Sequence, residues 1–169
     1  MARTYKMRVA ILTVSDSVVN GTREDLSGKA ISDWCSGRSY EVAEIARVKD
    51  ETSEIAPVLC RWCDSSGVDL VLTTGGTGLS PRDVTPEATL AVVQREASGI
   101  SELLRVSSFE KFPRAALSRG VAGVRGNTLV VNLPGSPGGV KDSLSVFESI
   151  VDHAVDVVRG KASHHEARS

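Results

Sequence analysis

The segment VDLVLTTGGTG (residues 68–78) decides the fold, because a short apolar run leads directly into a glycine-rich loop. An apolar run of this length, with Gly67 before it and Gly75 after it, is typical of a strand covered on both faces. Such strands belong to parallel sheets with helices on both sides, whose ligands bind beyond the carboxyl ends of the strands. The segment therefore predicts an α/β fold with a ligand site at loop 75–78.

Further strands are predicted on both sides of this segment. Residues 7–14 form a nearly continuous Val, Ile and Leu run that indicates a second buried strand. Residues 40–48 mix β-branched and charged side chains, which suits a strand at a sheet edge. Residues 128–133 are the last clear strand, and residues 109–125 fit no element.

Helices are predicted between the strands. The patterns place them over 27–37 with Ser27 as N-cap, over 55–62 with a stop at Gly67, from Thr85 as N-cap, over 100–108, and over 137–159 as one helix of about 22 residues. Strands that alternate with helices imply right-handed crossovers. The expected fold class is a three-layer αβα sandwich with a mostly parallel central sheet.

Length and composition favour a single domain over residues 1–169, with a core at about 7–160 and a flexible tail at 161–169. The chain has 169 residues, 41% of them hydrophobic, and a net charge of −1. It therefore lacks the basic excess of a protein that binds nucleic acid through phosphates. No apolar run approaches the roughly 20 residues of a membrane span, and no signal peptide is apparent, so we expect a cytoplasmic protein. Three cysteines do not suggest a secreted disulfide framework.

Acidic residues and glycines follow the predicted strands at the ligand-binding edge of the sheet. Asp16, Asp50 and Asp83 come after three different strands, and glycine-rich loops follow at 75–78 and 134–139. Glycine N–H groups can approach phosphate, and carboxylates can hold Mg²⁺ against it, so the pattern predicts phosphoryl or nucleotidyl transfer. Each aspartate alone is more typical of a turn or a helix cap, but three of them at the ligand-facing ends of strands favour a ligand site. Neither the P-loop nor the Rossmann fingerprint is present.

The remaining metal-ligand and nucleophile candidates favour structural roles. Cys60 and Cys63 have the spacing of half a zinc site, but they lie in an apolar helix pattern without a second pair, which favours core packing. His153, His164 and His165 are expected at the solvated surface. No histidine accompanies a serine or cysteine in a motif of nucleophilic catalysis.

Five motifs resemble the MoaB/Mog molybdopterin-binding family, which includes bacterial molybdopterin adenylyltransferase and domains of plant Cnx and animal gephyrin. They are TTGGTGLSPRDVTPEAT at 73–89, LTVSD at 12–16, DLSG at 25–28, LSR at 117–119 and NLPGSP at 132–137. The resemblance extends from about residue 7 to 160. The forms PRD at 81–83 and LSR at 117–119 favour an active member over an inactive one.

The resemblance implies a reaction. ATP and molybdopterin, with Mg²⁺, would give adenylyl-molybdopterin and pyrophosphate before metal is inserted into the molybdenum cofactor. It also implies a homotrimer, and a downstream metal-insertion protein is a further possible partner.

The resemblance also implies residue roles. Asp50 and Asp83 match the catalytic, Mg²⁺-organising aspartates, although Lys49 stands where the family usually has proline before the first of them. The nucleotide-binding positions are Gly75, Gly76, Thr77, Gly78, Asn132, Pro134, Gly135 and Ser136. The substrate-binding positions are Ser15, Asp16, Ser108 and Ser118. We add Arg82 and Arg119 as phosphate neutralisers on charge alone.

Two other hypotheses about the function of the protein stay open at this point. One is a non-catalytic module that binds or scaffolds molybdopterin, and the other is a nucleotide-binding α/β domain unrelated to molybdenum. Pterin binding without ATP consumption would distinguish the module from the enzyme.

Overall fold

A six-stranded mixed sheet forms the centre of the computed structural model, which describes residues 5–65 and 67–161. The strand order is β2-β1-β3-β6-β5-β4. The strands are β1 Arg8–Val14, β2 Glu41–Val48, β3 Leu70–Thr74, β4 Arg95–Glu96, β5 Ala122–Arg125 and β6 Thr128–Leu133. Strands β2, β1, β3 and β6 are parallel, whereas β5 and β4 pair antiparallel. The prediction of a mostly parallel sheet is confirmed.

Helices cover both faces of the sheet. They are α1 Asp16–Val19, α2 Leu26–Gly37, α3 Thr52–Ser65, α4 Thr85–Val92, α5 Ser98–Phe109, α6 Pro137–Phe147 and α7 Val151–Val158, with a 3-10 turn at Pro113–Leu117. Neighbouring residues of β1 enter different cores, since Ile11 packs with α2, α6 and α7, while Leu12 packs with α3. Both side chains are fully buried. This burial on both faces is the three-layer sandwich that the apolar strands predict. No helix in the described ranges is long and apolar enough to cross a bilayer.

The predicted single helix over 137–159 is wrong, because the chain forms α6 and α7 with a turn between them. The amide of Ser149 donates to Val146 O at 3.3 Å, and that of Ile150 to Phe147 O at 3.0 Å. These are contacts three residues back, which tighten the chain, and the Ser149 hydroxyl also donates to Val146 O at 2.8 Å. The apolar stripe continues across the break, since Phe147 and Val151 are both buried.

Two predicted helix caps are also wrong, because the hydroxyls bind other loops. Asp25 caps α2 by accepting from Gly28 N at 2.9 Å, while the Ser27 hydroxyl donates to Gly135 O at 2.8 Å. Thr85 is the first residue of α4, and its hydroxyl donates to Gly75 O at 2.9 Å. Both helices are thereby tied to the glycine-rich loops.

Part of the segment left without a predicted element, residues 109–125, forms strand β5. It pairs with β6 around a turn at Gly126 and Asn127, and Gly126 has a φ of +55°. A Gly-Asn pair between two strands is a hairpin signal. The expected tail, from 162 onward with His164 and His165, lies outside the described residues, so the predicted domain bounds stay a prediction.

Candidate functional site

Two adjoining cavities lie beyond the carboxyl ends of β1, β3 and β6. The larger has a volume of about 510 Å³ and is lined by the 3-10 turn, α5 and the start of α6. The smaller has a volume of about 350 Å³ and is lined by the end of β1 and residues 23–27. Four residues line both cavities: Gly76, Asp83, Gly135 and Ser136. These four residues form the junction between the two cavities.

The structure brings the three predicted aspartates to this edge of the sheet. Asp16 N donates to Asp50 Oδ2 at 2.8 Å, and Asp50 N donates to Asp16 Oδ1 at 3.1 Å, so the loops after β1 and β2 bind each other. Asp83 Oδ2 accepts from Ser80 N at 3.0 Å. Parallel strands end at one edge, which is why residues far apart in the chain meet there.

The charges of the aspartates are compensated unequally. Arg82 donates to both carboxylate oxygens of Asp16 at 2.8–3.1 Å, and this hydrogen bonding lowers the pKa of Asp16. Burial raises the pKa of Asp50, and the charges of Asp16 and Asp83 act in the same direction, whereas the hydrogen bond from Asp16 N and the charge of Arg82 oppose the rise. In the described ranges neither Asp50 nor Asp83 forms an ion pair with a basic side chain. The junction and the smaller cavity beside it therefore carry carboxylates that no direct ion pair neutralises.

This donor set fits Mg²⁺. Asp50 and Asp83 provide oxygen ligands that no basic side chain of the described ranges binds directly in an ion pair. Mg²⁺ commonly binds one or two carboxylates together with substrate phosphates and water. The described ranges contain no group of three or more His, Cys, Asp or Glu side chains arranged for a metal ion. Water and substrate phosphate oxygens would supply the other ligands of an ion held by these two carboxylates.

We expect Asp50→Asn to raise the melting temperature at pH 7 slightly, because burial disfavours the charged carboxylate in the folded protein. The pKa of Asp50 is higher in the folded protein, so between its unfolded and folded pKa values the native state binds more protons than the unfolded state. The free energy of unfolding then falls as pH rises through that interval, and the neutral amide removes this loss. Thermal unfolding at pH 4 and pH 7 measures the effect, which should shrink at pH 4.

Asp16→Asn is the matched control with the opposite sign. Hydrogen bonding to Arg82 lowers the pKa of Asp16, so its stabilisation is present above the unfolded pKa and is lost as pH falls. This variant should melt below wild type at pH 7 and approach it in acid. Equal shifts of both variants would contradict the charge distribution described above.

Glycine is required where the loop leaves β3. Gly75 has a φ of +97°, and a Cβ there would lie 2.2 Å from Val14 O. Gly76 has a φ of +66°, and its Cβ would lie 2.3 Å from the Thr85 hydroxyl oxygen. Side chains are excluded at both positions, so the main chain passes close to β1 and α4 and its peptide groups line the cavities.

The structure gives two of the predicted nucleotide-binding residues strong internal partners. The Asn132 amide donates to the hydroxyls of Thr73 and Thr89 at 2.9 and 3.0 Å and accepts from Val121 N at 3.1 Å. Pro134 O accepts from the Thr74 hydroxyl at 2.6 Å. Both residues line the larger cavity. Their contacts hold the walls in place, because the polar groups of Asn132 are largely occupied within the protein.

The predicted substrate-binding serines fall in different cavities. Ser108 and Ser118 line the larger one, together with Thr77 and Gly78, whereas Ser15 lines the smaller one. The Ser15 hydroxyl shares a hydrogen bond with that of Ser17 at 3.0 Å. The loop 75–78 thus contributes to both cavities.

Sequence reasoning missed two basic residues of the larger cavity, Arg105 and Arg114. Arg105 donates to Ser118 O at 2.8 Å, and neither arginine forms an ion pair with an acidic side chain in the described ranges. Phe112 and Leu117 line the same cavity. No sequence signal marks these residues, because only packing brings α5 and the 3-10 turn against loop 134–139.

Arg82 and Arg119, expected as phosphate neutralisers, line neither cavity. Arg82 binds Asp16, as described above. Arg119 donates to Gly78 O, Asp83 O and the Glu87 carboxylate. The hydrogen bond from Arg119 lowers the pKa of Glu87. Both guanidinium groups therefore have partners within the protein.

The cysteines and His153 occupy the positions expected of structural residues. Cys60 and Cys63 lie on α3 and are partly buried against the core. Burial raises the pKa of Cys63 to about 11. His153 is exposed on α7. Neither cysteine and no described histidine lines the two cavities.

The fold and the site together define a class of α/β sandwich proteins whose ligand site is built from glycine-rich loops and carboxylates at the strand ends. The family described as "Probable molybdopterin binding domain" matches residues 10–153. The chain belongs to this family.

Named relatives agree with this assignment. A molybdopterin adenylyltransferase of Helicobacter pylori (strain J99) is 40% identical over 156 residues, which cover 91% of this chain and 89% of the relative. The molybdopterin adenylyltransferase of Escherichia coli K12 is 38% identical over 154 residues, covering 90% and 77%. The crystal structure of the molybdopterin biosynthesis enzyme MoaB from Thermus thermophilus is 51% identical, with a TM-score of 0.87, and covers 92% of this chain and 98% of that one.

Proposed function

We propose that the protein is a molybdopterin adenylyltransferase, which transfers AMP from ATP to the terminal phosphate of molybdopterin. The observation that carries this proposal is the pair of cavities that meet at Asp83 and loop 75–78. Two phosphorylated substrates that react with each other need adjoining pockets that meet where the reacting atoms lie. Relatives about 40% identical over most of the chain have this activity in their names.

The chemistry is a phosphoryl displacement. An oxygen of the pterin's terminal phosphate forms a bond to the α-phosphorus of ATP, the bond from that phosphorus to the bridging oxygen breaks, and pyrophosphate leaves with the electron pair. The protein contributes position and charge, since such a reaction requires little covalent participation from side chains. Asp50 and Asp83 would hold Mg²⁺, which supplies positive charge to the phosphates.

The larger cavity suits molybdopterin. It combines the hydroxyls of Ser108 and Ser118 with the apolar Phe112 and Leu117 and with the cations Arg105 and Arg114. Such a lining complements a flat ring that carries a phosphate. The predicted substrate-binding serines of the second half of the chain lie in this cavity.

The smaller cavity is then assigned to the nucleotide. Its lining includes Gly75, Gly76, Gly135 and Ser136 from the predicted nucleotide-binding set. The other members of that set, Thr77, Gly78, Asn132 and Pro134, line the larger cavity. Ser15, which the family resemblance assigns to substrate binding, lines the smaller one, and Asp16 lines neither. Ser136 caps α6, accepting from Gly139 N at 3.1 Å, so the start of α6 lies at the junction, where its dipole favours phosphate. Asn132 and Pro134 line the larger cavity, and their internal hydrogen bonds hold the wall beside the junction.

The proposal extends to assembly and location. We propose the homotrimer that the family resemblance implies, and exposed apolar side chains outside the two cavities are available for contacts between subunits, with Leu79 at 66%, Val106 at 69% and Phe109 at 50% exposure. A use of ATP is consistent with the expected cytoplasmic location. A metal-insertion protein would receive the adenylylated product.

The test is incubation of the purified protein with ATP labelled at the α-phosphate, Mg²⁺ and molybdopterin. The expected result is adenylyl-molybdopterin and pyrophosphate in equal amounts, with no reaction when Mg²⁺ is chelated. Pterin binding by fluorescence without release of pyrophosphate would overturn the enzyme in favour of the non-catalytic binding module. ATP binding without pterin binding would instead favour the unrelated nucleotide-binding domain.

A further inference from the structure

Arg119 forms hydrogen bonds with residues 77–83, here called the junction loop, on the side away from the cavities. Arg119 lies 36 positions from Asp83 in sequence and binds three backbone carbonyls of this loop. Its amide donates to Thr77 O at 2.7 Å, its Nε to Gly78 O at 2.8 Å and its Nη2 to Asp83 O at 2.6 Å. The two ends of the loop are therefore bonded to the same residue.

Arg119 is itself fixed on several sides. Its guanidinium binds the carboxylate of Glu87 on α4. The residues on either side of it are bound by Arg105, whose Nη1 donates to Ser118 O at 2.8 Å and to Gly120 O at 3.3 Å. The guanidinium thus has a defined position relative to α4 and α5 before any ligand binds.

The contacts with Arg119 bear directly on where the Asp83 carboxylate points. A Cβ on Gly78 would lie 2.8 Å from Asp83 Oδ2, so these two residues pack tightly across the loop. Neighbouring nitrogens of one planar guanidinium hold the carbonyls of the same two residues. Such a fork fixes a distance and an angle, whereas a lysine ammonium would provide one charge without that geometry.

We propose that Arg119 is a positioning residue, which holds the junction loop in the shape that presents Asp83 to both cavities. The inference rests on the proposed adenylyl transfer for its effect on turnover. Arg119 lines neither cavity, so it acts on the substrates through the loop. A displacement of a reacting group by about 1 Å can slow a reaction about 100-fold.

The experiment compares Arg119→Ala and Arg119→Lys with a matched control, Arg125→Ala. Arg125 also binds a carboxylate with two nitrogens, at 2.8 and 2.9 Å to Asp64, and a backbone carbonyl, Val92 O, at 3.0 Å, but it lies away from the cavities. We expect both Arg119 variants to lower kcat about 100-fold while molybdopterin affinity stays within about twofold of wild type. Arg125→Ala should keep wild-type kcat.

Amide hydrogen exchange provides a readout that does not depend on activity. Residues 77–83 should exchange about tenfold faster in Arg119→Ala than in wild type or in Arg125→Ala, because the loop loses bonds that oppose local opening. Unchanged exchange, wild-type kcat in Arg119→Lys, or an equal loss of kcat in Arg125→Ala would overturn the proposal. An inactive wild-type protein would refute the proposed function, and the exchange measurement would still test the role of Arg119.

Discussion

Replacement of Asp83 by Asn is expected to lower the rate of adenylyl transfer about 100- to 1,000-fold and to leave the fold intact. Of Asp16, Asp50 and Asp83, only Asp83 lines both cavities. The Asn side chain has nearly the same size as Asp. Its amide oxygen can still accept the hydrogen bond that Ser80 N donates to Asp83 Oδ2 at 3.0 Å. The substitution therefore removes the negative charge at the junction without removing the turn.

Turnover with saturating ATP, molybdopterin and Mg²⁺ measures this effect, and circular dichroism checks the fold. The matched control is Asp64→Asn, which neutralises a carboxylate on α3 that is bound to Arg125. We expect its turnover to stay within about twofold of wild type, because Asp64 lines neither cavity and the loss of an exposed ion pair costs little stability. Wild-type turnover in Asp83→Asn would contradict the proposed cation site.

A second large effect is expected in Gly75→Ala, which should lower the melting temperature by about 10 °C. The φ of +97° strains any L side chain at a cost of about 1–2 kcal/mol. The added Cβ would lie 2.2 Å from Val14 O, and because a backbone atom cannot rotate away, relief of this contact costs about 1–3 kcal/mol more. In a domain of this size each kcal/mol lowers the melting temperature by about 2–4 °C.

Two alanine controls separate the causes of that loss. Gly21 has a φ of +75° with no atom within 4 Å of a Cβ, so Gly21→Ala tests backbone strain alone. Gly99 lies in α5 with open space around it, and Ala is the better helix former there by about 0.5–1 kcal/mol. The expected order of melting temperatures is Gly99→Ala above wild type, then Gly21→Ala, then Gly75→Ala. A loss in Gly75→Ala no greater than in Gly21→Ala would contradict the contact with Val14.

Buried strands and the residues after them are the features that the sequence predicts well. The apolar runs at 7–14 and 68–74 give strands β1 and β3, and 128–133 is β6 with the same bounds. Because parallel strands end at one edge, the positions of Asp16, Asp50 and Asp83 follow from the strand pattern alone. Their roles in catalysis stay a prediction.

Features that depend on tertiary partners could not be predicted. Ser27 and Thr85 have the residue types of helix caps, but acceptors on Gly135 and Gly75 compete for their hydroxyls. The break between α6 and α7 keeps the apolar periodicity, so the pattern carries no sign of it. Arg119 appears in sequence as a free cation, and only the fold shows the carbonyls that it binds.

Hydroxyl donors from neighbouring elements restrain the loops around the cavities before any ligand binds. Ser27 binds Gly135 O, Thr74 binds Pro134 O and Thr85 binds Gly75 O, at 2.6–2.9 Å. These bonds remove part of the conformational freedom of the loops during folding, so less is lost on association. Substrates would consequently bind to a preorganised site, and release of the product would not require a rearrangement of the main chain.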